Sequence, residues 1–69
     1  MAMNWRERIT ADPRVLCGKA AIKGTRISVE LVIDLLARGQ TCDQIVQQYP
    51  HLTVEDVHAC LAYAAEVRP

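Results

Sequence analysis

The chain of 69 residues has no phenylalanine, one tryptophan, two tyrosines and a single serine. With so few aromatics, its core must be built from aliphatic side chains. A chain of this length buries only about 60% of its unfolded surface, so an oligomer or an obligate partner is the default expectation. No apolar run approaches the roughly 20 residues of a membrane span, and MAMNWRERIT lacks the apolar stretch of a secretory leader. A cytoplasmic protein is expected. The three cysteines, Cys17, Cys42 and Cys60, are odd in number and form no Cys-x-x-Cys pair; reduced, partly buried thiols are the expectation.

Catalytic constellations are missing as well. The lone Ser28 stands at a helix start, and His51 and His58 have no obvious acid partner. Asp12, Asp34, Asp43 and Asp56 show no paired-carboxylate spacing. The glycines stand too far apart for a phosphate loop, and the Cys and His separations lack the short knuckles of zinc sites. The expectation is a protein that is not an enzyme and carries no metal or cofactor.

What the chain does have is an uneven distribution of charge. Its net charge is zero, but residues 1–26 hold six bases (Arg6, Arg8, Arg14, Lys19, Lys23, Arg26) against Glu7 and Asp12, a surplus of four positive charges. Residues 27–69 hold Arg38 and Arg68 against Glu30, Asp34, Asp43, Glu55, Asp56 and Glu66, a surplus of four negative ones. Either the two halves serve two kinds of partner, or they attract each other within a chain or across a dimer.

It also has one stretch that is apolar almost all round. From Val29 to Ala37 only Glu30 and Asp34 are polar, and with Arg38 they fall at i, i+4 and i+8, a single narrow stripe on a helix. Ser28 suits the N-cap, Glu30 the positive end, Arg38 the negative end, and Gly39 the left-handed stop. This reads as a central helix covered by its own chain and by a second copy.

Thr41 caps a second helix, with Gln44 three residues on completing a capping box. Its apolar face is Cys42, Ile45, Val46 and Tyr49, and Pro50 ends it. Thr53 caps a third helix, with Glu55 and Asp56 in its first turn. There Val54, Val57, Leu61 and Ala64 are the expected core face, and Cys60, Tyr63 and Val67 a second apolar strip free to meet another chain.

Upstream, Trp5 and Ile9 fit on one side of a helical turn, and Asp12-Pro13 marks a bend. The pieces Val15–Cys17, Ala20–Ile22 and Arg26–Ile27 read as two or three brief strands, with Gly18-Lys19 as a tight turn. Gly24 is expected to supply a positive φ in a turn. The organisation predicted is one mostly α domain: an N-terminal arm with a short β element over 1–27, then a three-helix bundle of helix-turn-helix outline over 28–69. A reading helix normally offers Arg, Lys, Asn, Gln or Ser to base edges. The third helix offers Glu55, Asp56, His58 and Ala59 instead, so the basic N-terminal segment is the better nucleic-acid surface.

Several segments resemble domain-of-unknown-function family 433: WRERI (Trp5 to Ile9), DP (Asp12-Pro13), CGKAAIKGTRISV (Cys17 to Val29), LLARG (Leu35 to Gly39) and YPHLTVEDVHACLAYA (Tyr49 to Ala64). The most diagnostic element is GK-x-x-I-x-GTR-I, here Gly18, Lys19, Ile22, Gly24, Thr25, Arg26 and Ile27. Ala20 and Ser28 stand where that family often has proline. The resemblance implies a small bacterial protein with a short β element before a homeodomain-like helical bundle, often dimeric. Such proteins are commonly encoded beside a PIN-like ribonuclease and proposed to be VapB-type antitoxins that also bind their own promoter.

The site residues expected on these grounds are Arg14, Lys19, Lys23 and Arg26 toward DNA, and Trp5, Cys60, Tyr63 and Val67 toward a partner. Arg26 has a structural reading too, in which it pairs with Glu30 or Asp34 of its own fold. Two functions of different class follow. One is a dimeric antitoxin that holds operator DNA on its basic surface and a PIN-like ribonuclease on its acidic one. The other is a purely protein-binding adaptor that does not touch DNA.

Overall fold

The structure, a computed structural model, describes residues 4–14 and 16–67, leaving aside the side chains of Leu16 and Val67. Two short strands, β1 (Ile9–Thr10) and β2 (Ala21–Ile22), precede three helices, α1 (Val29–Ala37), α2 (Cys42–Gln48) and α3 (Val54–Val67). The expected mostly α architecture, a short β element followed by a three-helix bundle, is the one found.

Each helix is bounded by the signals its sequence carries. The Ser28 hydroxyl accepts the Leu31 amide at 3.0 Å to open α1. Gly39, at φ +96°, closes it: its amide bonds the Leu36 carbonyl at 3.0 Å and the Gln40 amide bonds the Leu35 carbonyl at 3.1 Å. That pairing satisfies carbonyls the helix end would otherwise leave open. Thr41 and Gln44 form the reciprocal capping box of α2, at 2.9 and 3.1 Å. Thr53 and Asp56 form the same device at α3, at 3.0 and 3.2 Å.

The core is aliphatic: Ile9, Ile22, Val29, Val32, Ile45, Leu52, Val57, Ala59 and Cys60 are buried together. Of α1, Val29 and Val32 are buried, while Ile33, Leu35 and Leu36 are half-buried against this core. One chain therefore buries only Val29 and Val32 of this helix fully; Leu31, Ile33, Leu35 and Leu36 stay half-buried and Ala37 is exposed. Helix α2 turns Ile45 fully inward, with Cys42, Val46 and Tyr49 packed beside it, the face its spacing predicts.

Helix α3 is rotated from expectation. Asp56, Val57, Ala59 and Cys60 face inward, while Leu61 is 44% exposed and Val54 and Ala64 only half-buried. The cause lies in the N-terminal arm. Trp5 and Ile9 arrive on the Cys60–Tyr63 side of α3, and the Arg8 Nη1 donates to the Asp56 carboxylate at 3.1 Å. Cys60 and Tyr63, taken for part of a second, outward strip, are instead met by the chain's own beginning.

The β element also differs. The partner of Ala21–Ile22 is Ile9–Thr10, antiparallel, with Ile9 opposite Ile22 and Thr10 opposite Ala21. The expected turn at Gly18-Lys19 is absent. Residues Leu16–Gly18 form a short 3₁₀ turn in which Cys17 and Gly18 have φ of 55° and 86°, angles a strand cannot hold; Val15 lies outside the described residues. Trp5–Glu7 is a single 3₁₀ turn that ends before Ile9 enters β1, so the two do not share one helical turn. Of the thiols, Cys60 is buried and Cys42 half-buried as expected, but Cys17 is exposed.

Candidate nucleic-acid interface

Strand β2 leaves the sheet through a tight turn from Ile22 to Thr25. The Thr25 amide bonds the Ile22 carbonyl at 3.0 Å, and Gly24 takes φ +78° at the third position, where a side chain would be strained. The Thr25 hydroxyl donates to the Ile22 carbonyl at 2.8 Å and accepts the Ile27 amide at 3.1 Å. Further bonds run from the Ile22 amide to the Ile27 carbonyl and from the Lys23 amide to the Arg8 carbonyl, at 3.0 and 2.8 Å. The turn is thus a fixed frame, and the two side chains it projects are Lys23 and Arg26, both exposed.

The ion pairs explain why these two bases differ from the rest. Arg6 pairs with Glu66 at 3.1 Å, Arg8 with Asp56 at 3.1 Å, Arg14 with Asp12 at 3.0 Å, Lys19 with Glu30 at 3.9 Å and Arg38 with Asp34 at 2.9 Å. Among the described residues, Lys23 and Arg26 alone of the Lys and Arg side chains pair with no acid. Arg26 does not pair with Glu30 or Asp34 as the structural reading expected; Lys19 lies 3.9 Å from Glu30 and Arg38 takes Asp34 at 2.9 Å.

Two adjoining open hollows share the turn. Thr10, Asp12, Lys23, Gly24, Thr25 and Arg26 line one; Lys23 to Ile27 and His51 line the other. Asp12 does not cancel the local positive charge. The Arg14 side chain holds its carboxylate at 3.2 and 3.0 Å, and the Arg14 amide at 2.9 Å. Those bonds keep the Asp12 carboxyl below the usual carboxylate range.

Of the four residues expected to face DNA, the structure brings Lys23 and Arg26 together. Arg14 and Lys19 are not among the residues lining the hollows, and each is engaged with an acid. His51 was missed because it lies in the α2–α3 connection, far along the chain from the basic turn; no spacing rule links the two.

The residues expected to face a partner fall differently. Cys60 is fully buried, its thiol pushed up to about 12 by burial and then by the Asp56 charge, so it meets no partner. Trp5 packs edge-on against Tyr63, with ring centroids 4.9 Å apart, and its indole N–H donates to Glu66 at 2.6 Å. Arg6 lies over the indole at 4.5 Å and also reaches Glu66. The indole hydrogen bond, and then Arg6, hold the Glu66 carboxyl below its ordinary value. Trp5 and Tyr63, both half-buried, therefore fasten the arm to α3. The Val67 side chain lies outside the described residues.

A short two-stranded arm on a three-helix bundle, displaying one fixed basic turn, defines a small, mostly α-helical domain. The chain belongs to the DUF433 family, described as proteins of unknown function, whose model matches residues 9–64. It is similar to a crystal structure of a DUF433 member from Anabaena variabilis ATCC 29413, at 32% identity and a TM-score of 0.82, covering 87% of this chain and 59% of that one. It is also 30% identical over 59 residues to the uncharacterized protein y4eO of Sinorhizobium fredii (strain NBRC 101917 / NGR234), covering 86% of this chain and 27% of that protein. The chain thus spans about three fifths of the solved relative and about a quarter of the curated one. Among the described residues no helix is long and apolar enough to cross a membrane.

Proposed function

We propose that this protein is the antitoxin of a type II toxin–antitoxin pair, a cytoplasmic homodimer that binds its own promoter DNA and a PIN-like ribonuclease and catalyses nothing itself. The observation that carries the DNA half is the Lys23–Arg26 turn. Two exposed bases held on a rigid frame, with no acid to neutralise them, suit the phosphates of a duplex, where each cation releases condensed counterions. For the toxin half, Asp43 and Glu55 are exposed at the starts of α2 and α3, free of ion pairs among the described residues. They suit a basic protein surface. A gel shift on the promoter region tests the first half: the wild type retards the fragment, and neutralising Lys23 and Arg26 together abolishes the shift. Retardation unchanged in that double variant assigns the DNA to another surface. Co-purification with the product of a neighbouring PIN-like gene tests the second.

Two observations favour the adaptor reading. Leu61 is the one large apolar side chain exposed among the described residues, and the start of α3 presents Glu55 and His58 where a reader would carry base-seeking groups. An adaptor shows no salt-sensitive affinity for DNA at all.

A further inference from the structure

We infer that His51 completes the site, and that Lys23, Arg26 and His51 together grip the phosphodiester backbone of duplex DNA. This deepens the function proposed above and rests on its DNA half. The hollow that joins the two regions is lined by Lys23, Gly24, Thr25, Arg26 and Ile27 from the basic turn and by His51 from the α2–α3 connection. His51 is exposed and makes no ion pair among the described residues. Its ring can donate an N–H to a phosphate oxygen beside the two cations.

The same geometry removes the usual alternative. In a helix-turn-helix protein the second helix enters the major groove with its N-terminal residues toward the bases. Here Asp56 and Val57 at that end of α3 are buried, Asp56 being tied to Arg8 and Thr53. The exposed Glu55 would be driven off by phosphates. The face that does carry positive charge is the one where the basic turn meets the α2–α3 connection. It holds a main-chain turn and three side chains that can follow a phosphate strand. Lys23 acts as a point charge, Arg26 as a planar fork able to span two phosphate oxygens, and His51 as the third donor.

The test is fluorescence anisotropy of the full-length protein with two labelled duplexes of equal length, one carrying the promoter sequence and one scrambled, across a salt series. The expected result is affinity for the promoter duplex that falls steeply as salt rises. Lys23→Ala and Arg26→Ala each flatten the slope of log K against log salt by about 1. His51→Ala weakens binding roughly five- to tenfold, as loss of one hydrogen bond does, and His51→Gln, which keeps an N–H donor, restores most of it. His51 is exposed, so circular dichroism melts of these variants should overlay the wild type. Salt-sensitive binding that depends on Lys23 and Arg26 but is indifferent to His51→Ala would overturn the role of His51 and leave the DNA reading standing. Failure to bind either duplex sinks both.

Discussion

Asp56 carries more of the fold than any other polar side chain described here. One of its oxygens closes the capping box with the Thr53 amide, and the other accepts from Arg8, 48 positions earlier in the chain. Removing it opens the cap and strands the half-buried Arg8. Asp56→Ala is therefore expected to cost about 2–3 kcal/mol in urea or guanidinium denaturation, and Arg8→Ala about 1–2 kcal/mol. The thiols give a second residue-scale expectation. Under native conditions Cys17, exposed, reacts promptly with an aromatic disulfide reagent, while Cys60, with its thiol held near 12, reacts only through unfolding. Glu66 gives a third. Its carboxyl is held below the ordinary value by the Trp5 indole and Arg6, so its folded form binds protons less readily than the unfolded chain does. The stability it adds is present above the ordinary glutamate range and is lost as pH falls through the depressed folded value. Thermal melts of wild type and Glu66→Gln should differ at pH 7 and converge in acid.

At the scale of elements, the ends of α1 make a clean test of the capping argument. Nothing lies within 4 Å of a Cβ added at Gly39, but its φ of +96° strains any side chain. Gly39→Ala should thus cost about 1 kcal/mol through backbone alone, with no repacking visible in the native spectrum. The caps at Ser28, Thr41 and Thr53, the stop at Gly39 and the inward face of α2 were all legible in the sequence, because each is set by residues within a turn of one another. The phase of α3 and the partner of β2 were not. Both depend on where Trp5, Arg8 and Ile9 land after the chain has folded back, and a helix with apolar residues at Val54, Val57, Cys60, Leu61 and Ala64 admits two phases. The fold of the arm decides between them, and the decisive pair, Arg8 with Asp56, has no local spacing to announce it. The candidate site was half legible for the same reason. The Gly24 turn and its two bases are contiguous, whereas His51 joins them only through tertiary packing.

At the scale of the molecule, the opposed charges of the two halves resolve into two groups. Arg6, Arg8 and Lys19 meet Glu66, Asp56 and Glu30, so much of the asymmetry is spent inside one chain. What remains among the described residues is the Lys23–Arg26 turn and the acids Glu7, Asp43 and Glu55, all exposed and outside these ion pairs. The homodimer proposed above has a direct test here. Sedimentation equilibrium should find twice the chain mass at micromolar concentration, and the melting temperature should rise with protein concentration. A monomer whose melting is independent of concentration removes the dimer from the proposal. The meeting of Trp5 with Glu66 has its own consequence. Residues 61 positions apart share a hydrogen bond, so the backbone enters and leaves the domain at neighbouring points. Such a layout lets a module be spliced into a longer polypeptide, or closed into a ring by a short peptide, without redrawing its interior.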